Sequence, residues 1–293
     1  MSQFADSNFD SKLYDLYRPT YPPKFISYII EKCVPIDKDN VRIVDIGTGP
    51  GTALSTLIDL IEEKTKNGQL KVKKFEIWAT DVSEVMIEQA KQKLSKYNSE
   101  LIQINFAVCQ GEEIDSIVEG VDLVLAAECA HWLNVDKWIA CMRKVCHGYL
   151  VYWGYVDGVF IDYPELNQFY DDFVYDEGEL GKCWNQPGRN ILRSCFKDTN
   201  ERMKKEFECE IVYRNPATGV GEGSPLRITQ NVTVEDYLKY VDTWSASFSW
   251  NASHKPEERA GLLFDKGFQK YGLNHNDKLN IEMKTVYCIA KIN

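Results

Sequence analysis

The sequence predicts an α/β protein, a seven-stranded, mostly parallel sheet with helices on both faces and a helical lid inserted late in the chain. Three observations carry this expectation. Between Val41 and Trp153, short apolar runs alternate with stretches of helical periodicity, the pattern of βαβ units. A glycine-rich turn, Gly47-Thr-Gly-Pro-Gly51, joins the first apolar run to the first of those helices. After Trp153 the alternation lapses for about 50 residues, and strand pattern returns at Phe207–Tyr213 and Ile281–Ile292.

The elements follow in order. Arg18-Pro-Thr-Tyr-Pro-Pro23 blocks a helix before about Lys24, and Phe25 to Cys33 reads as one. Val41 to Ile46 is a buried strand. Leu54, Leu57, Ile58 and Ile61 recur at i, i+3, i+4 and i+7, one face of an amphipathic helix. A charged loop, 64–74, leads to a second strand at Phe75–Ala79 and a helix over Ser83–Tyr97. Strands at Ile102–Val108, Val121–Ala127 and Tyr149–Trp153 complete the parallel set, with a helix over about Val135–Val145. A helical region, Val234–Phe248, precedes the last strand, which is expected to run antiparallel.

Composition narrows the function classes. With 44% hydrophobic and 27% charged residues, the chain is neither disordered nor fibrous. No apolar run approaches the roughly 18 residues of a membrane helix, and no basic cluster followed by an apolar stretch opens the chain. A soluble, cytoplasmic protein with no membrane partner is the expectation. The net charge of −10 repels nucleic acid, so an acidic ligand would need a local cluster of cations. Nine scattered cysteines without a CxxC pair are expected to be reduced thiols, and no metal site is anticipated.

The strongest local signal is Val44-Asp-Ile-Gly-Thr-Gly-Pro-Gly-Thr52. A strand ends, glycines at alternate positions make the turn, and a helix begins. Glycine lets the backbone take positive φ and lets a ligand lie against it, while the helix N-terminus offers free N–H groups. Asp45, Gly47, Thr48, Gly49 and Gly51 are the candidate ligand contacts. Asp81, with Val82 beside it at the end of the second strand, can accept ribose hydroxyls; the competing reading is a cap for the next helix, which Ser83 could supply equally well. Gln110, Gly111 and Glu112, after the third strand, would edge an adenine. Glu128, His131 and Trp132 stand at the carboxyl end of the fourth strand, where open α/β sheets bind ligands. A dinucleotide fingerprint would place its third glycine at Thr52, and a phosphate-binding loop would need Gly-Lys-Ser/Thr; neither is present.

These motifs resemble those of class I S-adenosylmethionine-dependent methyltransferases, over about residues 40–155. A narrower likeness, to fungal trans-aconitate methyltransferases, spans nearly the whole chain. It rests on Arg18-Pro-Thr-Tyr-Pro22, Val44 to Thr52, Ala127-Glu-Cys-Ala-His-Trp132 and Tyr152-Trp-Gly-Tyr155. It continues through Asp162-Tyr-Pro-Glu165, Trp184-Asn-Gln-Pro-Gly-Arg189 and Thr243-Trp-Ser-Ala246. The resemblance implies a Rossmann-like sheet, S-adenosylmethionine as cofactor, and methyl transfer to a small carboxylic acid. Residues 1–40 are then expected to form a lid segment, 41–155 the cofactor-binding core, and 156–293 a helical cap with the closing strands.

Arginine suits a bidentate grip on carboxylates, which makes Arg18 and Arg189 the expected catalytic cations and Arg193 a substrate contact. Tyr14, Tyr21, Trp132, Trp153, Trp184 and Trp244 could enclose the acceptor. A carboxylate is already nucleophilic at pH 7, so no base is required. A hydroxyl or amine acceptor would need one, and His131 is the best placed. Two rivals stay open, a nicotinamide-dependent oxidoreductase and a non-catalytic cofactor-binding protein. A small-molecule acid is the expected partner, and a monomer the expected state.

Overall fold

The computed structural model describes residues 11–292; the side chains of Ser11, Lys12 and Tyr14 lie outside that description, and with them the acceptor contact predicted for Tyr14. The parallel core is β1 (Asn40–Ile46), β2 (Lys74–Asp81), β3 (Ile102–Val108), β4 (Val121–Ala127) and β5 (Cys146–Phe160). β6 (Glu208–Arg214), β7 (Thr229–Thr233) and β8 (Lys278–Lys291) close it. The order across the sheet is β3-β2-β1-β4-β5-β8-β6, and β8 runs antiparallel to both β5 and β6. Strand order reverses between β1 and β4, whose carboxyl ends therefore flank a crevice.

Eight strands form where seven are predicted. The added one is β7, which pairs with the Lys278–Glu282 end of β8, while β6 pairs with Thr285–Lys291. One edge of β8 is thus covered by two short strands end to end. Thr229-Gln-Asn-Val-Thr233 has a single apolar side chain and gives no alternation to read. β5, with 15 residues, and β8, with 14, outrun the other strands, and their paired ends continue beyond the sheet. A bulge at Asp157 breaks their register between Val156 and Gly158.

α2 (Pro23–Cys33), α3 (Thr52–Lys66) and α4 (Glu84–Leu94) cover one face. The stripe Leu54, Leu57, Ile58 and Ile61 on α3 is fully buried there. α5 (Val135–Val145), α7 (Gly188–Arg193) and α8 (Lys197–Glu206) cover the other, through Trp138, Met142, Leu192 and Met203. Caps start these helices as the sequence requires: Asn134 Oδ1 accepts from Lys137 N at 3.2 Å on α5, and Ser83 Oγ from Met86 N at 3.4 Å on α4.

The cap consists of α6 (Leu166–Tyr175), α9 (Val234–Asp242), α10 (Ser245–Ser253) and α11 (Ala260–Lys270). An aromatic cluster around Phe264 binds these helices together: Phe173, Tyr237 and Trp244 place their ring centroids 4.9, 6.0 and 5.7 Å from it. The predicted helix Val234–Phe248 is broken by Thr243-Trp244, where α10 starts in a new direction. α1 (Ser11–Tyr17) packs on α9.

Candidate active site

A cavity of about 510 Å³ runs from the glycine-rich turn to the cap. Its first half is built by the carboxyl ends of β1, β2 and β4. Gly47, Thr48, Gly49, Asp81, Val82, Gly111 and Glu128 line it, all of them singled out in the sequence. Gly49 has φ +55°, and a Cβ built on it would meet nothing within 4 Å, so its α-carbon faces open cavity. Gly51 differs. With φ +88°, it is the residue preceding α3, and a Cβ there would lie 2.7 Å from Leu94. It serves the close packing of α3 on α4 and does not line the cavity.

Asp81 Oδ2 accepts from Gly49 N at 3.0 Å and Oδ1 from Ser83 N at 2.8 Å. Since Ser83 caps α4, the Asp81 carboxyl remains on the cavity wall. Burial raises its pKa, against the backbone N–H groups of Ser83, Gly49 and Val82. Asp45 corrects an expectation: it lies wholly beneath the turn, outside the cavity lining. Burial pushes its carboxyl up to about 7, the Thr48 hydroxyl opposing and Asp81 adding to the rise. Gln110 and Glu112 also stay out of the lining; Gln110 is exposed, and Glu112 Oε1 accepts from Asn134 N at 2.7 Å ahead of α5.

The second half of the cavity is walled by side chains from distant segments. Tyr21, Tyr170, Trp184, Tyr240 and Trp244 supply aromatic faces, and Trp132 stands at the edge, 45% exposed. Two cations enter. Arg18 donates from Nη2 to Thr243 O at 3.0 Å and from Nη1 to Tyr155 OH at 3.4 Å. Arg189 lies 3.9 Å over the Trp184 ring, its Nη2 donating to Tyr175 OH and to Asp157 Oδ1 at 3.2 Å. Arg189 Nε is buried without a hydrogen-bond partner among the described residues.

Asp157, 5% exposed, was not anticipated. It projects from the β5 bulge with φ +47°, and Lys284 Nζ reaches its second oxygen at 3.5 Å. Its signal in the sequence was a lone acid inside the apolar run Leu150–Phe160, in a strand read as ending at Trp153. Two predicted acceptor contacts are corrected. Trp153 is fully buried behind the site, its ring edge-on to Tyr21 at 5.3 Å. Arg193 stacks on Tyr175 at 3.4 Å, on α7 but outside the cavity lining.

Glu128 and His131 sit between the halves. Glu128 has φ +55°, and its Oε2 accepts from Tyr155 N at 2.8 Å. Burial pushes its carboxyl up to about 7, while the Tyr155 N–H, Arg18 and Arg189 pull the other way. Burial, with Arg189 and Arg18 adding, drives the His131 imidazole down to about 3. His131 is therefore neutral at pH 7. All nine cysteines are free thiols, and no helix of the described residues is long and apolar enough to cross a membrane.

The first half fits an S-adenosyl cofactor: open space at Gly49 takes ligand against bare backbone, and Asp81 offers a carboxylate where a ribose would lie. Comparison with known proteins agrees. Residues 43–148 match the family model of a methyltransferase domain. A Saccharomyces cerevisiae protein named as a probable S-adenosylmethionine-dependent methyltransferase is 24% identical, over 97% of this chain and 94% of its own length. A candidate methyltransferase of Dictyostelium discoideum is 28% identical over 86% of this chain and 83% of its own. A solved structure from Anaeromyxobacter dehalogenans, a candidate type II methyltransferase, matches the fold with a TM-score of 0.64 at 18% identity, covering 94% of this chain and 98% of that one. Motif, matched domain and curated relatives together support an S-adenosylmethionine-dependent methyltransferase, with residues 43–148 as its methyltransferase domain.

Proposed function

We propose that this methyltransferase esterifies a carboxylate of a small polycarboxylic acid, with trans-aconitate the acceptor that the sequence resemblance implies. The observation that carries the reading is Arg189, a cation held at 12% exposure on the Trp184 face inside a cavity continuous with the glycine-rich turn. A buried cation on an aromatic wall selects an anion with an apolar body.

Gly47, Thr48 and Gly49 would hold the methionyl part of the cofactor by backbone contact, and Asp81 its ribose. When bound, the cofactor supplies a methyl group activated by a sulfonium centre. Arg189 anchors one carboxylate of the acceptor, Arg18 adds positive potential, and the aromatic walls exclude water. An ionised carboxylate needs no proton removed, so catalysis reduces to holding it in line with the methyl group in a dry site.

A second reading is favoured by Glu128. A carboxyl raised to about 7 at the junction of the two halves is tuned for general-base work on a hydroxyl acceptor. Turnover of wild type and Glu128→Gln on a panel of carboxylic acids and hydroxylated analogues decides between them. Under the carboxylate reading, trans-aconitate or a near relative is the best acceptor and Glu128→Gln retains kcat within about tenfold. A loss of roughly 10²–10⁴-fold, with a kcat that rises through pH 7 in wild type, selects the base.

A further inference from the structure

Behind the acceptor end of the site lies a second, open cavity of about 390 Å³, between the start of α8 and the far ends of β6 and β8. Lys197, Arg214 and Lys284 line it together with Ser194, Tyr213 and Thr218, and none of its lining residues is acidic. In a chain of net charge −10 this is a local reversal of sign. The ion pairs at its back leave cations in excess. Glu282 is shared by Arg214 and Arg227, at 2.8 and 2.9 Å, and Asp157 by Arg189 and Lys284, at 3.2 and 3.5 Å. Each carboxylate is thus divided between one cation of this lining, Arg214 or Lys284, and one outside it, and Lys197 adds a third lining cation with no ion pair among the described residues.

The walls are fixed. Arg214 is buried, its Nε also donating to Glu282 at 2.8 Å. Asn200 Nδ2 donates to Tyr213 OH at 3.0 Å and holds that phenol in place. Lys284 connects it to the acceptor site: the residue lines the second cavity, and its Nζ lies 3.5 Å from Asp157, the residue that holds Arg189.

We propose that this cavity binds a compact, multivalent oxyanion, a phosphate or a polycarboxylate, and that Lys284 communicates its presence to Arg189. An anion there competes with Asp157 for Lys284. Asp157 then returns its full negative charge to Arg189, and the acceptor's anchor weakens. Occupancy therefore raises the acceptor KM and leaves the cofactor half untouched. The coupling rests on the reading of Arg189 as the acceptor's anchor; the binding does not.

Calorimetry on the full chain, saturated with S-adenosylhomocysteine, tests the site with inorganic phosphate and, in a separate arm, citrate, against sodium chloride at matched ionic strength. The expected result is saturable binding of one or both that chloride does not give, weakened about tenfold or more by Lys197→Glu and less by Lys197→Ala. Lys197 is exposed and outside the first cavity's lining, so both variants should keep wild-type kcat and cofactor affinity. Absence of saturable binding overturns the proposal. So does binding indifferent to both Lys197 variants but lost in Arg189→Lys, which marks occupancy of the acceptor site. Where binding is present, a rise of about threefold in acceptor KM supports the coupling, and an unmoved KM overturns the coupling alone.

Discussion

The two halves of the active-site cavity are made in different ways. The half under the glycine-rich turn uses main chain: the bare backbone of Gly49, a carboxylate locked by two N–H groups, and strand ends placed by parallel pairing. The half under the cap uses side chains, with rings from α6, α9 and the start of α10 around two arginines already engaged by their neighbours. A ligand common to a large class of enzymes can be met by backbone, whose shape hardly depends on side-chain identity. An acceptor particular to one enzyme must be met by side chains, which can be exchanged singly. Recognition of donor and acceptor should therefore fail independently.

Gly49→Val gives the largest effect. Its methyl groups would stand in open cavity, and φ +55° is costly for a β-branched residue. We expect cofactor affinity to fall by more than about a hundredfold with the fold intact, measured by calorimetry beside circular dichroism. Retained affinity would move the cofactor away from the turn and erase the contrast.

On the other side, Arg189→Lys should raise acceptor KM about tenfold and leave the cofactor Kd in place, since lysine keeps the charge but loses the stacked, planar donor. Steady-state kinetics with a cofactor titration gives both numbers. If the two constants move together, the halves are one binding unit.

Asp45→Asn is the mildest of the three and sharpens where the cofactor half ends. Folded Asp45 titrates at about 7, above the ordinary carboxyl value of 3.8. Between about pH 4 and pH 7 the folded state holds a proton that the unfolded chain has released, so its contribution to stability falls as pH rises through that window and stays low above it. Asparagine does not ionise. The variant's Tm should exceed that of wild type by a few degrees at pH 8, and the gap should close towards pH 4. Cofactor affinity should change by less than about twofold; a larger loss would return Asp45 to the ligand-binding set.

Legibility in the sequence followed the same division. The turn, Asp81, Gly111 and Glu128 were readable because each is fixed by a contiguous strand-to-helix junction, where spacing alone implies position. Asp45 and Gly51 belonged to the same motif but serve what lies beneath it, one by burial and one by meeting Leu94. Spacing cannot separate a ligand contact from its foundation. Residue type groups Trp184, Trp244, Arg18 and Arg189, which line the cavity, with Trp153 and Arg193, which face elsewhere. Which way a ring points is decided by packing among segments more than a hundred residues apart, as in Arg18 against Tyr155 and Thr243. β7 escaped notice because its partner, the overhanging end of β8, exists only once β5 and β8 have paired.

That overhang has a consequence for how such a chain can diverge. β5 carries Trp153 O, which accepts from Glu128 N, then Tyr155 N, which donates to Glu128, and two residues later Asp157, which anchors Arg189. Successive residues of a strand face opposite sides, so one codon gained or lost between Trp153 and Asp157 would turn the acid away from the arginine. Loops such as 67–73 can lengthen or shorten at little cost. The ribbon has a reading frame of its own, and descendants that change acceptor must do so by substitution there, leaving its length alone.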